Sequence, residues 1–167
     1  MKPAWPVFLL AVLLAPAIAQ TDRVDLVSDR PGHAEARVFG LILHAEEAKV
    51  NPDTGELVMR GHVHVILPAR EDHTVVRYGS GVLLTDQPIG LAADRVTVKS
   101  GVLQASGNIV LLPMDPELPK VQLRGDGLSM FLKIGDATLS GNVRPSGLPV
   151  QVPIRGSKWV FPPDIIK

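Results

Sequence analysis

Residues 92–112 read AADRVTVKSGVLQASGNIVLL. An acid, Asp94, is followed by apolar side chains at alternate places, Val96 and Val98. After the link Lys99-Ser100-Gly101, Leu103, Ala105, Ile109 and Leu111 alternate with Gln104, Ser106 and Asn108. Side chains in a strand point to opposite faces with a period of two. Two such runs joined by a short glycine-bearing link therefore predict a β-hairpin with one face buried.

The same phrase is written twice more. Residues 45–65, AEEAKVNPDTGELVMRGHVHV, place Leu57, Met59, Val63 and Val65 on one face and Val58, Arg60, His62 and His64 on the other. Leu67 and Ile66 continue the two faces. Residues 125–143, GDGLSMFLKIGDATLSGNV, set Leu128 and Met130, then Ala137, Leu139 and Val143, against Thr138, Ser140 and Asn142. Gly55, Gly101 and Gly135 supply the positive φ that tight links require. A second glycine, Gly61, Gly107 or Gly141, falls mid-strand on the apolar side in each copy. There it marks a bend, a bulge or the close approach of another backbone, in preference to contact with a ligand. The acids Glu46, Asp94 and Asp126 recur at equivalent places, which suggests a shared structural duty near strand starts.

The rest of the chain agrees with an all-β reading. HAEEAK (44–49) has a helical composition, but Val38, Leu41, Leu43 and Val50 fit strands at least as well. VVRYGSGVLLT (75–85) predicts a further hairpin. The interval from Gly61 to Gly107 exceeds that from Gly107 to Gly141, which argues against a solenoid of fixed period. The expected fold is a short stack of antiparallel strands bent over itself, a taco-shaped β-jelly roll. Aromatic residues make up 4% of the chain, so its core is expected to be aliphatic.

MKPAWPVFLLAVLLAPAIAQ at the amino terminus combines Lys2, an apolar run from Val7 to Leu14 and a small-x-small Ala17-Ile18-Ala19. This predicts a signal peptide over residues 1–19, cleaved after Ala19, and hence a periplasmic protein. Residues 20–144 form the predicted β domain. Residues 145–167 are a proline-rich tail that cannot supply a central strand. The 17 basic and 17 acidic side chains balance, which argues against a nucleic-acid surface. There is no cysteine.

Little points to catalysis. His62 and His64 share one face and His44 and His73 come within possible reach of them, but no His-x-Glu or Cys completes a metal set. Gly79-Ser80-Gly81 lacks the context of a nucleophile elbow and reads as a hairpin tip. The expectation is a non-enzyme with no catalytic residue, no metal and no cofactor.

The acid, the alternation, the glycine link and the closing L-x-A/M-x-G-N/H-V resemble the OstA-like repeat of the lipopolysaccharide-transport proteins. That family includes the periplasmic bridge protein LptA, the membrane-anchored LptC and the amino-terminal part of LptD. The resemblance covers roughly residues 41–144. His62 in place of Asn, Gly125 in place of Ala and the proline-rich tail depart from the pattern. The resemblance implies an open β-jelly roll that carries acyl chains of lipopolysaccharide or a related lipid. It also implies stacking, edge strand on edge strand, with other OstA-like proteins or head to tail with copies of itself. The groove would be lined by Val63, Val65, Val96, Val98, Ile109, Leu111, Leu128 and Met130. Two alternatives stand beside this: an envelope scaffold whose apolar faces simply pack on one another, and an LptC-like component anchored in the inner membrane.

Overall fold

A computed structural model describes residues 24–79, 81–114 and 122–146, together with the backbone of 157–160. The proposed leader and most of the proline-rich tail lie outside the described residues. The described secondary structure is all strand: β1 (Asp25–Arg30), β2 (His33–Val38), β3 (Leu41–Ala45), β4 (Glu47–Asn51), β5 (Glu56–Leu67), β6 (Thr74–Tyr78), β7 (Gly81–Thr85), β8 (Ile89–Lys99), β9 (Val102–Pro113), β10 (Gln122–Phe131), β11 (Asp136–Ser140), β12 (Arg144–Ser146) and β13 (Ser157–Val160).

These strands make one mixed sheet, ordered β1-β2-β3-β5-β8-β9-β10-β11-β6-β7-β13, with β4 on β5 and β12 on β10. The expected taco-shaped jelly roll of antiparallel strands is therefore corrected. The sheet is neither closed nor curled into that form. The reason lies in how the hairpins join. Each lies beside its predecessor and extends one ladder, as sequential strands tend to do. The β6–β7 hairpin at 74–85 then adds to β11 in parallel, Asp136–Leu139 against Val75–Tyr78, instead of starting a second sheet.

The long central strands β5, β8, β9 and β10 are flanked by broken ones. On one side β3 lies along Ile66–His64 of β5 and β4 along Arg60–Glu56, with Glu46 at the break. On the other side β11 and β12 share β10, with Gly141–Val143 at the break. The sheet thus has two wings. One is extended by β2 and β1, the other by β6, β7 and β13.

Burial follows the predicted parity. Leu57, Met59, Val63, Val65 and Leu67 of β5 are buried, and Arg60, His62, His64 and Ile66 are exposed. The buried side chains form one cluster that includes both wings, and it is aliphatic apart from Tyr78. Phe39, in the β2–β3 turn, lies 3.7 Å from the Cβ that Gly101 would carry in the β8–β9 turn. Pro145 sits in the short strand β12, off the main path, where a missing N–H is tolerated.

The parallel joint is held by Arg70, in the β5–β6 connection. Its guanidinium donates to the carbonyls of Leu132 (3.3 Å) and Lys133 (3.0 Å) in the β10–β11 turn and to Asp72 (3.1 Å). Val75 donates its backbone N–H to Gly135 (2.8 Å), and a Cβ at Gly135 would meet Arg70 Cδ and Nε at 2.8 Å. The hydrogen bond from Arg70 holds the Asp72 carboxyl below its ordinary value. The interaction is therefore present above the ordinary carboxylate range and is lost as pH falls through the lowered value. Replacing Arg70 by Ala should cost about 1–3 kcal/mol in urea unfolding. The Asp72 titration midpoint, followed by NMR, should rise in the same variant.

Candidate functional site

The eight residues expected to line a groove all fall on the buried face, at 0–4% exposure. The structure divides them into two groups. Val63 and Val65 of β5 neighbour Ala93 and Leu91, and Leu111 of β9 faces both Leu91 and Leu123. Ile109 faces Gly125, where an added Cβ would meet Leu139 Cδ1 at 2.8 Å. The other group is Val96 and Val98, opposite Met59 and Leu57, with Leu128 and Met130 opposite Ala105 and Leu103. Within each group the side chains are ladder neighbours. Between the groups runs a line of irregularities across the sheet.

That line is built by the repeated acids and the second glycines. At Gly61 and Gly107 the register slips so that two residues on the glycine strand oppose one on its neighbour, which defines a β-bulge. Gly61, Gly107 and Gly141 have φ of 76°, 76° and 89°, and the following His62 and Asn108 are also left-handed at 45° and 46°. Non-glycine residues rarely adopt that region, Asn and His among the most tolerant.

Of the alternatives offered by the sequence the bulge therefore holds at Gly61 and Gly107, and what comes close to each of the three glycines is a carboxylate. An added Cβ at Gly61, Gly107 or Gly141 would lie less than 3.0 Å from Glu46, Asp94 or Asp126 respectively. These acids are exposed, so the glycines face outward and not toward the apolar side as their parity suggests. Each acid then binds the residue after the glycine. Asn108 donates its side-chain amide to Asp94 Oδ2 (2.8 Å), and Asn142 donates both amide (2.9 Å) and backbone N–H (3.0 Å) to Asp126 Oδ2. His62 Nδ1 lies 2.6 Å from Glu46 Oε1. His62 therefore fills the role of Asn in the first copy. Glu46 also donates its backbone N–H to the carbonyl of Gly61 (3.0 Å) and accepts from Gly32 (2.9 Å).

The acid strand answers the bulge by presenting two consecutive residues outward: Glu46-Glu47, Asp94-Arg95 and Asp126-Gly127. Asp94 sits between the bulges of β5 and β9, so the clasps form a row. The shared structural duty of the acids is this clasp. Sequence reading missed its partner, although the signal was present: each acid precedes its Asn or His by 14 or 16 residues.

Of the two histidines expected within reach of His62 and His64, one arrives there. His44 faces His64 across the β3–β5 ladder, while His73 lies in the β5–β6 turn. Among the described residues no group of three or more His, Asp or Glu is placed to hold a metal ion. A shallow depression around the β4–β5 turn is lined by Lys49, Asp53 and Glu56 together with Val50, Pro52 and Val58.

Searches against family models, curated proteins and solved structures found no match to this chain.

The clasp predicts a specific coupling. Gly107→Ala should destabilise by about 2 kcal/mol through the combined left-handed strain and contact with Asp94. Adding Asp94→Ala should relieve the carboxylate's share of the contact and leave that of the Asp94 Cβ, at 2.9 Å, so the double variant should be less destabilised than the sum of the singles, as read by denaturant unfolding.

Proposed function

We propose that this chain is a non-catalytic periplasmic protein that binds an acylated lipid, lipopolysaccharide in the reading its repeats suggest, and carries it between the inner and outer membranes. The observation that supports this is the continuous aliphatic face, on which Tyr78 is the one ring among the described core residues. Branched aliphatic side chains meet acyl chains without asking for a hydrogen bond or a fixed ring geometry. Withdrawing a dozen methylenes from water contributes on the order of 10 kcal/mol. That sum is large enough to offset parting some of the contacts between side chains that now lie at 0–4% exposure. The acyl chains would lie along Val63, Val65, Ile109 and Leu111 in one wing and Val96, Val98, Leu128 and Met130 in the other. The leader-like segment at residues 1–19 supports export, and the repeat resemblance supports the cargo.

A second reading has its own observation. The near-zero exposure of the same eight residues favours a filled core, and with it an envelope scaffold that binds proteins and no lipid. The mass of the exported protein separates both from an anchored, LptC-like role, which requires Met1–Ala19 to be retained.

Photo-crosslinking from Val65 and Met130 in intact cells should trap a lipid adduct, and mass spectrometry of the purified protein should find bound acylated lipid. Protein that is lipid-free, takes up no added lipopolysaccharide and yields no adduct leaves the scaffold reading in place.

A further inference from the structure

We propose that the outward face of the β1–β3 wing docks on an anionic phospholipid bilayer. The inference does not rest on the cargo reading, since it concerns the opposite face of the sheet.

Outward positions of a solvated sheet face are polar as a rule, and in the other wing the row Thr97–Gln104–Ser129–Thr138 obeys it, with Phe131 (54% exposed) standing opposite Val102 at that wing's end. Beyond the clasps the pattern reverses. Ile42 and Ile66 face each other across β3 and β5 and are 40% and 48% exposed. Ile66 neighbours Gly90, and Gly90 neighbours the half-buried Leu112. Met114, 48% exposed, sets its Cγ and Sδ 3.9 and 4.0 Å from where a Gly90 Cβ would be. The Met114 thioether thus lies beside the glycine, and the strip runs from Ile42 to Leu112. Four strands give it a width of about 15 Å. The next row repeats the theme at its centre, with Ala92 facing Val110. Contiguous apolar surface rimmed by polar groups marks an interaction or membrane site.

The rim supplies the sign of the partner. Val110 neighbours Arg124, and Arg124 stands directly opposite Arg144 on β12, both exposed. Like charges placed directly opposite repel one another, and an anion between them removes the repulsion. Arg124 donates one bond to Gln122 (3.3 Å). At the other end of the strip Arg37 is opposite Ile42 but carries Glu35 at 3.3 Å and pairs across β1 with Asp25. His44 and His64 lie between the two ends. The positive end is therefore the Arg124–Arg144 pair. Isoleucine, leucine and methionine entering the headgroup boundary, with guanidinium groups among the phosphates beside them, is the arrangement by which amphipathic surfaces bind anionic bilayers.

The test uses the exported protein as cells make it, in flotation with phosphatidylcholine vesicles lacking phosphatidylglycerol or containing about a third of it. Binding should be at least roughly tenfold stronger to the anionic vesicles and should weaken as salt is raised. Arg124→Glu with Arg144→Glu should lower it by about tenfold or more. Thr97→Ala, on the polar row, should leave it unchanged. As a readout independent of those variants, Ile66→Trp should blue-shift its emission on adding anionic vesicles and not on adding neutral ones. Equal binding to both vesicle compositions, full binding by arginine variants that retain the parent melting temperature, or no emission shift from Trp at 66 would each overturn the proposal. So would capture of an envelope protein by this face with no vesicle binding. A missing lipid adduct from Val65 or Met130 would bear on the cargo reading alone.

Discussion

A carboxylate occupying the space where a glycine lacks a side chain, and bonded to the residue that follows, is the constraint on which this sheet depends. It occurs at Glu46 with Gly61 and His62, at Asp94 with Gly107 and Asn108, and at Asp126 with Gly141 and Asn142. Left-handed backbone in mid-strand is unfavourable by itself, and it persists where surrounding contacts over-determine it. Here the acid satisfies the side chain of the left-handed His62 or Asn108, and in all three copies the absent Cβ lets the acid approach. Because each clasp joins adjacent strands, the bulges line up, and the flanking strands break where the line crosses them. The two wings and the division of the apolar face into two groups follow from that single row.

The aliphatic face has two physical fates. Filled by its own side chains it is an ordinary core, and burial of Leu43, Leu57, Leu91, Leu103 and Leu139 is then the main source of stability. Opened, the same surface becomes a solvent for acyl chains of nearly equal free energy, because lipid methylenes and leucine methyls are interchangeable in a dry interior. That near-equivalence makes lipid carriage compatible with a tightly buried resting state. It also lets the scaffold reading use the same residues. The outward face separates the wings more sharply. One carries a polar row that ends beside the exposed Phe131, the other an isoleucine strip ending in paired arginines.

Much of the local structure was legible in the chain. Strict alternation predicted which side chains of residues 57–67 and 103–111 are buried, since a period of two leaves no freedom once one face is apolar. The hairpins at 45–65, 92–112 and 74–85 were legible from glycine links. The role of the acids was only half legible. Their recurrence was visible, but their partners lie across a ladder, and parity misassigned the glycines to the apolar side because a bulge interrupts the alternation on which parity rests. The approach of His44 was anticipated but the register that sets it opposite His64 was not, since register between β3 and β5 depends on where Glu46 breaks the strand.

By itself the sequence determined the all-β class, the aliphatic core, the hairpin positions and the identity of the buried face, because turn chemistry and side-chain alternation act over a few residues. Only the tertiary structure decided that the hairpins extend one open mixed sheet, that β6 joins β11 in parallel through Arg70, and that Arg124 comes to face Arg144 beside an apolar strip. Those outcomes turn on contacts between residues far apart in the chain, where loop closure and competing edges, and not local pattern, select the partner.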